Sequence, residues 1–201
     1  MAPTKIDLAD TLGEFLEVAV HNILYSRKLY PDAIFVPKRK YGVVVHQSIH
    51  PDVNSYVSEC LKATNYHLKK SQLKQFCVII QNGEHIFEKF VFDVMKVFNN
   101  IESDPYLLEL EKNLRNFCLK LHSSKAYVDS LPSDSTFTIS ICTTELSSLE
   151  FNDNPVFEDF PWIHCSSKDY CLESPDIIPL QTVDLNYLDM QIYIETPCVE
   201  Y

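Results

Sequence analysis

Apolar residues recur along this chain with different spacings, and each change of spacing marks a new element. From Gly13 to Pro31 the sequence GEFLEVAVHNILYSRKLYP spreads Phe15, Leu16, Val18, Ala19, Val20, Ile23, Leu24, Tyr25, Leu29 and Tyr30 around the whole circumference of a helix. A helix that is apolar all round has to be buried on nearly every side. Glu14, Glu17, His21, Asn22, Arg27 and Lys28 interrupt it too often for a membrane span. The pattern predicts a central helical post that ends at Pro31, because proline has no N–H with which to continue a helix. Ala33 to Pro37 and Tyr41 to His46 then read as two strands joined by a basic turn, Lys38-Arg39-Lys40.

A second helix opens at Pro51, where the missing N–H costs nothing. Its apolar positions Val53, Tyr56, Val57, Cys60, Leu61 and Leu68 keep helical spacing. Phe76 to Ile80 and His85 to Val94 read as a hairpin around Asn82-Gly83, a dipeptide that accepts positive φ. A third helix follows Ser103-Asp104-Pro105 with Leu107, Leu110, Leu114, Phe117, Cys118 and Leu121 on one face. Thr136 to Cys142 alternates strictly, with Phe137, Ile139 and Ile141 facing one way, as in a half-buried antiparallel strand. The order helix, hairpin, helix, hairpin, helix, strand predicts an α+β fold with helices on one face of an antiparallel sheet.

The last quarter changes character. Leu146 to Ser174 has no sustained period and carries the single tryptophan, Trp162. Order returns after Pro175: Ile177, Ile178 and Leu180, then Leu185 to Ile194 with Met190, Ile192 and Ile194 alternating against Gln191 and Tyr193. A long irregular segment that leads back into strands suits a lid or a binding element.

With 201 residues, 46% hydrophobic and 22% charged, the chain has the makings of one folded domain. Its net charge of −11 opposes phosphate backbones, so direct nucleic-acid binding is not expected. Seven cysteines without a CxxC pair read as reduced, buried, small hydrophobes. No targeting or membrane-spanning stretch is read, which points to the nucleus or cytosol. Three glycines exclude a phosphate-cradling loop. His46 with His50, and His164-Cys165 with Cys171, match no common zinc spacing, so no metal or other cofactor is expected. Carboxylates form no pair at catalytic spacing. A hydrolase using a Cys–His pair is the enzyme alternative, and it has no positive support.

Six segments together resemble one family: EFLEVAVHNILYSRKLYP, AIFVPKRKYGVVVHQSIHPDVNSYV, EKFVFDV, TFTISI, FEDFPWI and IIPLQTVDLNYLDMQIYIE. In this order, from about Leu12 to Glu195, they are similar to the HORMA-domain accessory subunits of the translesion DNA polymerase zeta, the mitotic-arrest-deficient-like proteins. The spindle-checkpoint HORMA protein is a more distant relative with the same fold, and a checkpoint role on cell-cycle regulators is the alternative function.

The resemblance implies a single HORMA domain over 1–201, with a core of about 7–145 and a C-terminal safety belt and strands of about 146–201. It implies a non-enzymatic adaptor that closes its belt over a proline-containing peptide of the polymerase zeta catalytic subunit. By the same resemblance Tyr56 and Trp162 grip that peptide. Ile177, Gln191 and Tyr193 hold the C-terminal domain of the scaffold translesion polymerase, and Arg115 serves dimerisation. Other HORMA-binding peptides and a HORMA-remodelling AAA+ ATPase are further implied partners. The family has an acidic residue where this chain has Lys28 and a lysine near its Pro37. A weak homodimer is therefore expected.

Overall fold

The computed structural model describes residues 7–98, 107–124, 128, 130–144, 160, 162–165 and 170–198. Among these residues three helices, α1 (Leu8–Ser26), α2 (Pro51–Lys69) and α3 (Leu108–Ser124), accompany seven strands. The strands are β1 (Phe35–Lys40), β2 (Val43–Ser48), β3 (Leu73–Asn82), β4 (His85–Val97), β5 (Thr136–Thr143), β6 (Asp176–Leu185) and β7 (Leu188–Thr196). Strands β1 and β2 form a separate two-stranded sheet, and the other five form an antiparallel sheet in the order β5-β3-β4-β7-β6. The expected α+β layering of helices on one sheet face holds, with the β1–β2 hairpin as an addition.

The apolar circumference of α1 has the expected consequence. Leu8, Leu12, Phe15, Leu16, Ala19, Val20, Ile23 and Leu24 are all buried, and Phe15 makes edge contacts with Tyr41, Phe92 and Phe117. One side chain thus joins the hairpin, the sheet and α3. Gly13 lets α2 approach closely, since a Cβ there would overlap the Asn65 side-chain amide. At the far end of α1 the Arg27 guanidinium pairs with both carboxylate oxygens of buried Glu88 on β4, fixing the helix to the sheet. The helix-side core continues through Phe76, Val78, Ile80, Phe90, Phe92, Met190, Ile192 and Ile194.

Four boundaries differ from the sequence reading. Helix α1 stops at Ser26, before Pro31, because Lys28 takes φ 54. Its N–H donates to the Tyr25 carbonyl at 3.2 Å and the Leu29 N–H to the Leu24 carbonyl at 3.2 Å. This is a Schellman stop with lysine in the glycine position. Lys38, Arg39 and Lys40 lie in β1; the turn is Tyr41-Gly42, both at positive φ. Gly83-Glu84 forms the β3–β4 turn while Asn82 pairs with His85. Leu185 to Ile194 is broken by a turn at Asn186-Tyr187, with Leu185 opposite Leu188, so the chain doubles back into a hairpin. The cysteines also divide: Cys60 and Cys77 are buried and Cys118 is half-buried, whereas Cys142, Cys165, Cys171 and Cys198 are exposed. The Ser103-Asp104-Pro105 helix start and most of the irregular stretch lie outside the described residues.

Candidate functional site

A five-stranded sheet has two edges, here β5 and β6. The C-terminal hairpin β6–β7 pairs with β4, so among the described residues β5 has a strand partner on the β3 side alone. The rim of an edge strand of this kind is a template for a further strand.

Aromatic side chains line that rim. Tyr56, half-buried on α2, accepts a hydrogen bond from the Ile139 N–H of β5 at 3.0 Å. Its ring lies 5.4 Å from Phe137 and 6.0 Å from Phe160. Phe160 in turn lies 5.2 Å from Trp162, and Tyr30 meets Phe137 at 6.2 Å. The row Tyr30, Phe137, Tyr56, Phe160 and Trp162 borders the helix-side core. Burial raises the Tyr56 phenol pKa well above 10, so this hydroxyl stays protonated. The two residues expected to share a peptide site, Tyr56 and Trp162, are therefore brought together through Phe160. Sequence reading missed Phe160, Phe137 and Tyr30; Phe160 stands two residues before Trp162, and Phe137 heads the alternating strand.

The second expected set occupies the opposite side of the molecule. Gln191 and Tyr193 alternate with buried Met190, Ile192 and Ile194 on β7, so they point away from the helices. Ile177 pairs with Glu195 and joins the same outer face, where it is 61% exposed. Tyr193 sits between Pro179 and Val91. Its phenol is pushed up to about 12 by burial first and then by Glu195 and Asp93. Three strand spacings, on the order of 14 Å, separate β7 from β5. Two distinct surfaces result.

Arg115 lies in a third place. It is exposed on α3, with a guanidinium nitrogen 3.7 Å from where a Cβ on Gly42 would stand. The Lys40–Glu14 pair ties that hairpin tip to the first half of α1. Lys28 ends the same helix about 20 Å further on, so one protomer does not bring Lys28 and Arg115 together.

Chemistry for catalysis is thin. The thiols of Cys60, Cys77 and Cys118 are each pushed up to about 12 by burial, which disfavours a nucleophilic thiolate. Among the described residues no three His, Cys, Asp or Glu side chains gather as a metal site. No helix among them is long and apolar enough to cross a membrane.

The HORMA domain family profile matches residues 9–151. The mitotic spindle assembly checkpoint protein MAD2B of Homo sapiens is 40% identical over 190 residues, covering 94% of this chain and 90% of the relative. The DNA polymerase zeta subunit 2 of Drosophila melanogaster is 27% identical over 190 residues, covering 92% and 96%. Among solved structures, a chain of the mitotic checkpoint complex superposes with a TM-score of 0.77 at 18% identity, covering 95% of this chain and 99% of that one. C. elegans HTP-2 bound to the HIM-3 closure motif gives a TM-score of 0.69 at 14% identity, covering 95% and 90%. These likenesses in structure establish the fold. The relatives' names are those of subunits and checkpoint proteins, not enzymes.

Proposed function

This chain belongs to the HORMA domain family, and from that premise we propose that it is a non-catalytic adaptor subunit of DNA polymerase zeta in translesion DNA synthesis. A proline-containing peptide of the catalytic subunit adds to the rim of β5 as a further strand. Tyr56 and Trp162 grip it, and the safety belt within about 146–201 closes over it. Main-chain pairing supplies generic affinity, and the aromatic row selects flat, rigid side chains such as proline. The outer face of the C-terminal hairpin, with Ile177, Gln191 and Tyr193, receives the C-terminal domain of the scaffold translesion polymerase. The work is done in the nucleus. A HORMA-remodelling AAA+ ATPase would reopen the closed form.

The observation that carries this reading is that β5 is an edge strand among the described residues and lies beside an aromatic row, with the C-terminal hairpin on the far side of the sheet. The polymerase zeta names of relatives and the closure motif bound to HTP-2 support the choice of partner. The test is affinity capture of the full chain from nuclear extract, with mass spectrometry. Recovery of the polymerase zeta catalytic subunit, lost with Trp162→Ala, supports the reading; recovery of cell-cycle regulators alone contradicts it. That second outcome would favour a spindle-checkpoint HORMA role, for which the checkpoint names of other relatives speak.

A further inference from the structure

The tip of the β3–β4 hairpin carries chemistry that the proposed function does not use. Among the asparagines of the chain, Asn82 alone is followed by glycine. Residues 82–85 are all exposed, and Asn82 pairs with His85, so Gly83-Glu84 is a two-residue turn. Gly83 takes φ 58, and a Cβ there would meet no atom within 4 Å among the described residues. In such a turn the N–H of the first loop residue has no place in the strand ladder. The Gly83 nitrogen therefore stands next to the Asn82 carboxamide at a site open to solvent. The carboxamide is held from the neighbouring strand's approach: Asn82 Nδ2 donates to Asp134 Oδ2 at 2.6 Å. Asp134 belongs to the turn that leads into β5. The Ser135 N–H and hydroxyl both donate to the Pro132 carbonyl there, and the Thr136 hydroxyl donates to the Gln81 carbonyl at 3.2 Å. The Asn82–Asp134 bond thus ties the start of β5 to the hairpin tip.

We propose that Asn82 is a site of spontaneous deamidation, and that its product releases the turn that leads into β5. The Gly83 amide nitrogen loses its proton and attacks Cγ of Asn82. A bond forms between these two atoms, the bond from Cγ to Nδ2 breaks, and ammonia leaves, which gives a five-membered succinimide ring. Water then opens either carbonyl of the ring, so the product is aspartate or isoaspartate. The net change consumes water and releases ammonia. Glycine at position 83 permits closure because its backbone can swing over the side chain, which a Cβ would obstruct. Asp134 acts before the reaction and after it. Beforehand its carboxylate holds the carboxamide in place and opposes the negative charge that builds on the attacking nitrogen and the carboxamide oxygen, so it slows closure. Afterwards two carboxylates face each other where a donor met an acceptor, and a hydrogen bond becomes a like-charge contact. Isoaspartate also lengthens the main chain at position 82 and so shifts the pairing with His85. The inference holds whichever partner the rim of β5 receives.

Peptide mapping by mass spectrometry of the full chain, incubated in mildly alkaline buffer, tests the site. The segment that contains Asn82 is expected to exchange NH2 for OH at least about tenfold faster than segments in which a residue with a Cβ follows asparagine. Asp134→Ala is expected to speed this conversion, and Asp134→Ser serves if the alanine variant does not fold. An Asn82 segment that stays intact overturns the site. Conversion that is no faster without the Asp134 carboxylate overturns the restraint. Hydrogen exchange tests the consequence. Asn82→Asp reproduces the aspartate product and is expected to speed exchange at 134–138 by about threefold or more, while the amides from Phe76 to Ile80 keep their rates. Asn82→Asp combined with Asp134→Asn swaps donor and acceptor across the same gap and should restore the parent rates. Parent-like exchange in the single variant, or no recovery in the double variant, overturns the release of the turn.

Discussion

Tyr56 serves the helix-side core and the rim of β5 with one side chain. Its ring packs between Phe137 and Phe160, and its hydroxyl accepts the Ile139 N–H, which would otherwise face the rim. Trp162 continues the same row. Large aromatics at the centre of an interface dominate its energetics. Tyr56→Ala and Trp162→Ala should each weaken capture of the catalytic-subunit peptide at least about tenfold, or about 1.4 kcal/mol, by calorimetry. Unchanged affinity in a folded variant would remove that residue from the site. His21 yields a second prediction at this scale. It is buried in α1, and burial first, then the nearby Lys38 cation, lowers its pKa from 6.5 to about 4. Below pH 6.5 the unfolded chain takes up a proton that the folded chain refuses until about pH 4. The stabilisation is therefore complete above pH 6.5 and is lost as the pH falls towards 4. Linkage puts the loss between pH 7 and pH 5 at about 2 kcal/mol. Urea titrations at the two pH values should show this loss in the parent chain and a flatter response in His21→Leu; parallel slopes would contradict it.

At the scale of elements, the hairpin β6–β7 exposes one face and buries the other, and this separates the proposed scaffold surface from the peptide rim. Tyr193→Ala should abolish binding of the scaffold polymerase's C-terminal domain and leave peptide capture within about twofold, because a side chain on the outer face loses its own contacts and no others. A proportional fall in both activities, measured in parallel pulldowns, would mean that the hairpin only supports folding. Most elements were legible in the sequence because periodicity reports burial. The all-round apolar pattern of α1, the stripe of α2 and the alternation of β5 and β7 each predicted their environment. Boundaries were less legible. Lys28 and Ser71 take left-handed φ values of 54 and 55 to end α1 and α2 where glycine would ordinarily mark the stop, so composition carried no signal. Tyr41-Gly42 moved the expected basic turn two residues along. The candidate site was partly legible. Resemblance supplied Tyr56 and Trp162, but their linkage through Phe160 depends on which elements are neighbours, and no local pattern encodes that. Likewise Asp134 reaches Asn82 only because β3 and β5 pair in this register.

Over the whole molecule, a net charge of −11 sets the background against which close contacts between copies form. Arg115 stands exposed beside the Gly42 turn, and Lys28 stands exposed at the end of α1, where the resemblance implies an acidic residue in the family. A two-fold interface that brings these cations near each other loses an attraction and gains a repulsion of several tenths of a kcal/mol, or about 1 kcal/mol. The chain should be largely monomeric at low micromolar concentration, and Arg115→Ala should remove any remaining dimer. Light scattering over a concentration series checks this, and a tight dimer that survives the substitution would place the interface elsewhere. The central claim, that a partner segment joins β5 beneath the closing C-terminal segment, is tested most directly by hydrogen exchange with and without the proline-containing peptide of the polymerase zeta catalytic subunit. The account predicts that β5 amides from Thr136 to Thr143 and the amides of 160–176 slow by about tenfold or more on binding, while those of α3 keep their rates. Equal exchange along β5 in the two states, with the peptide demonstrably bound, would contradict it.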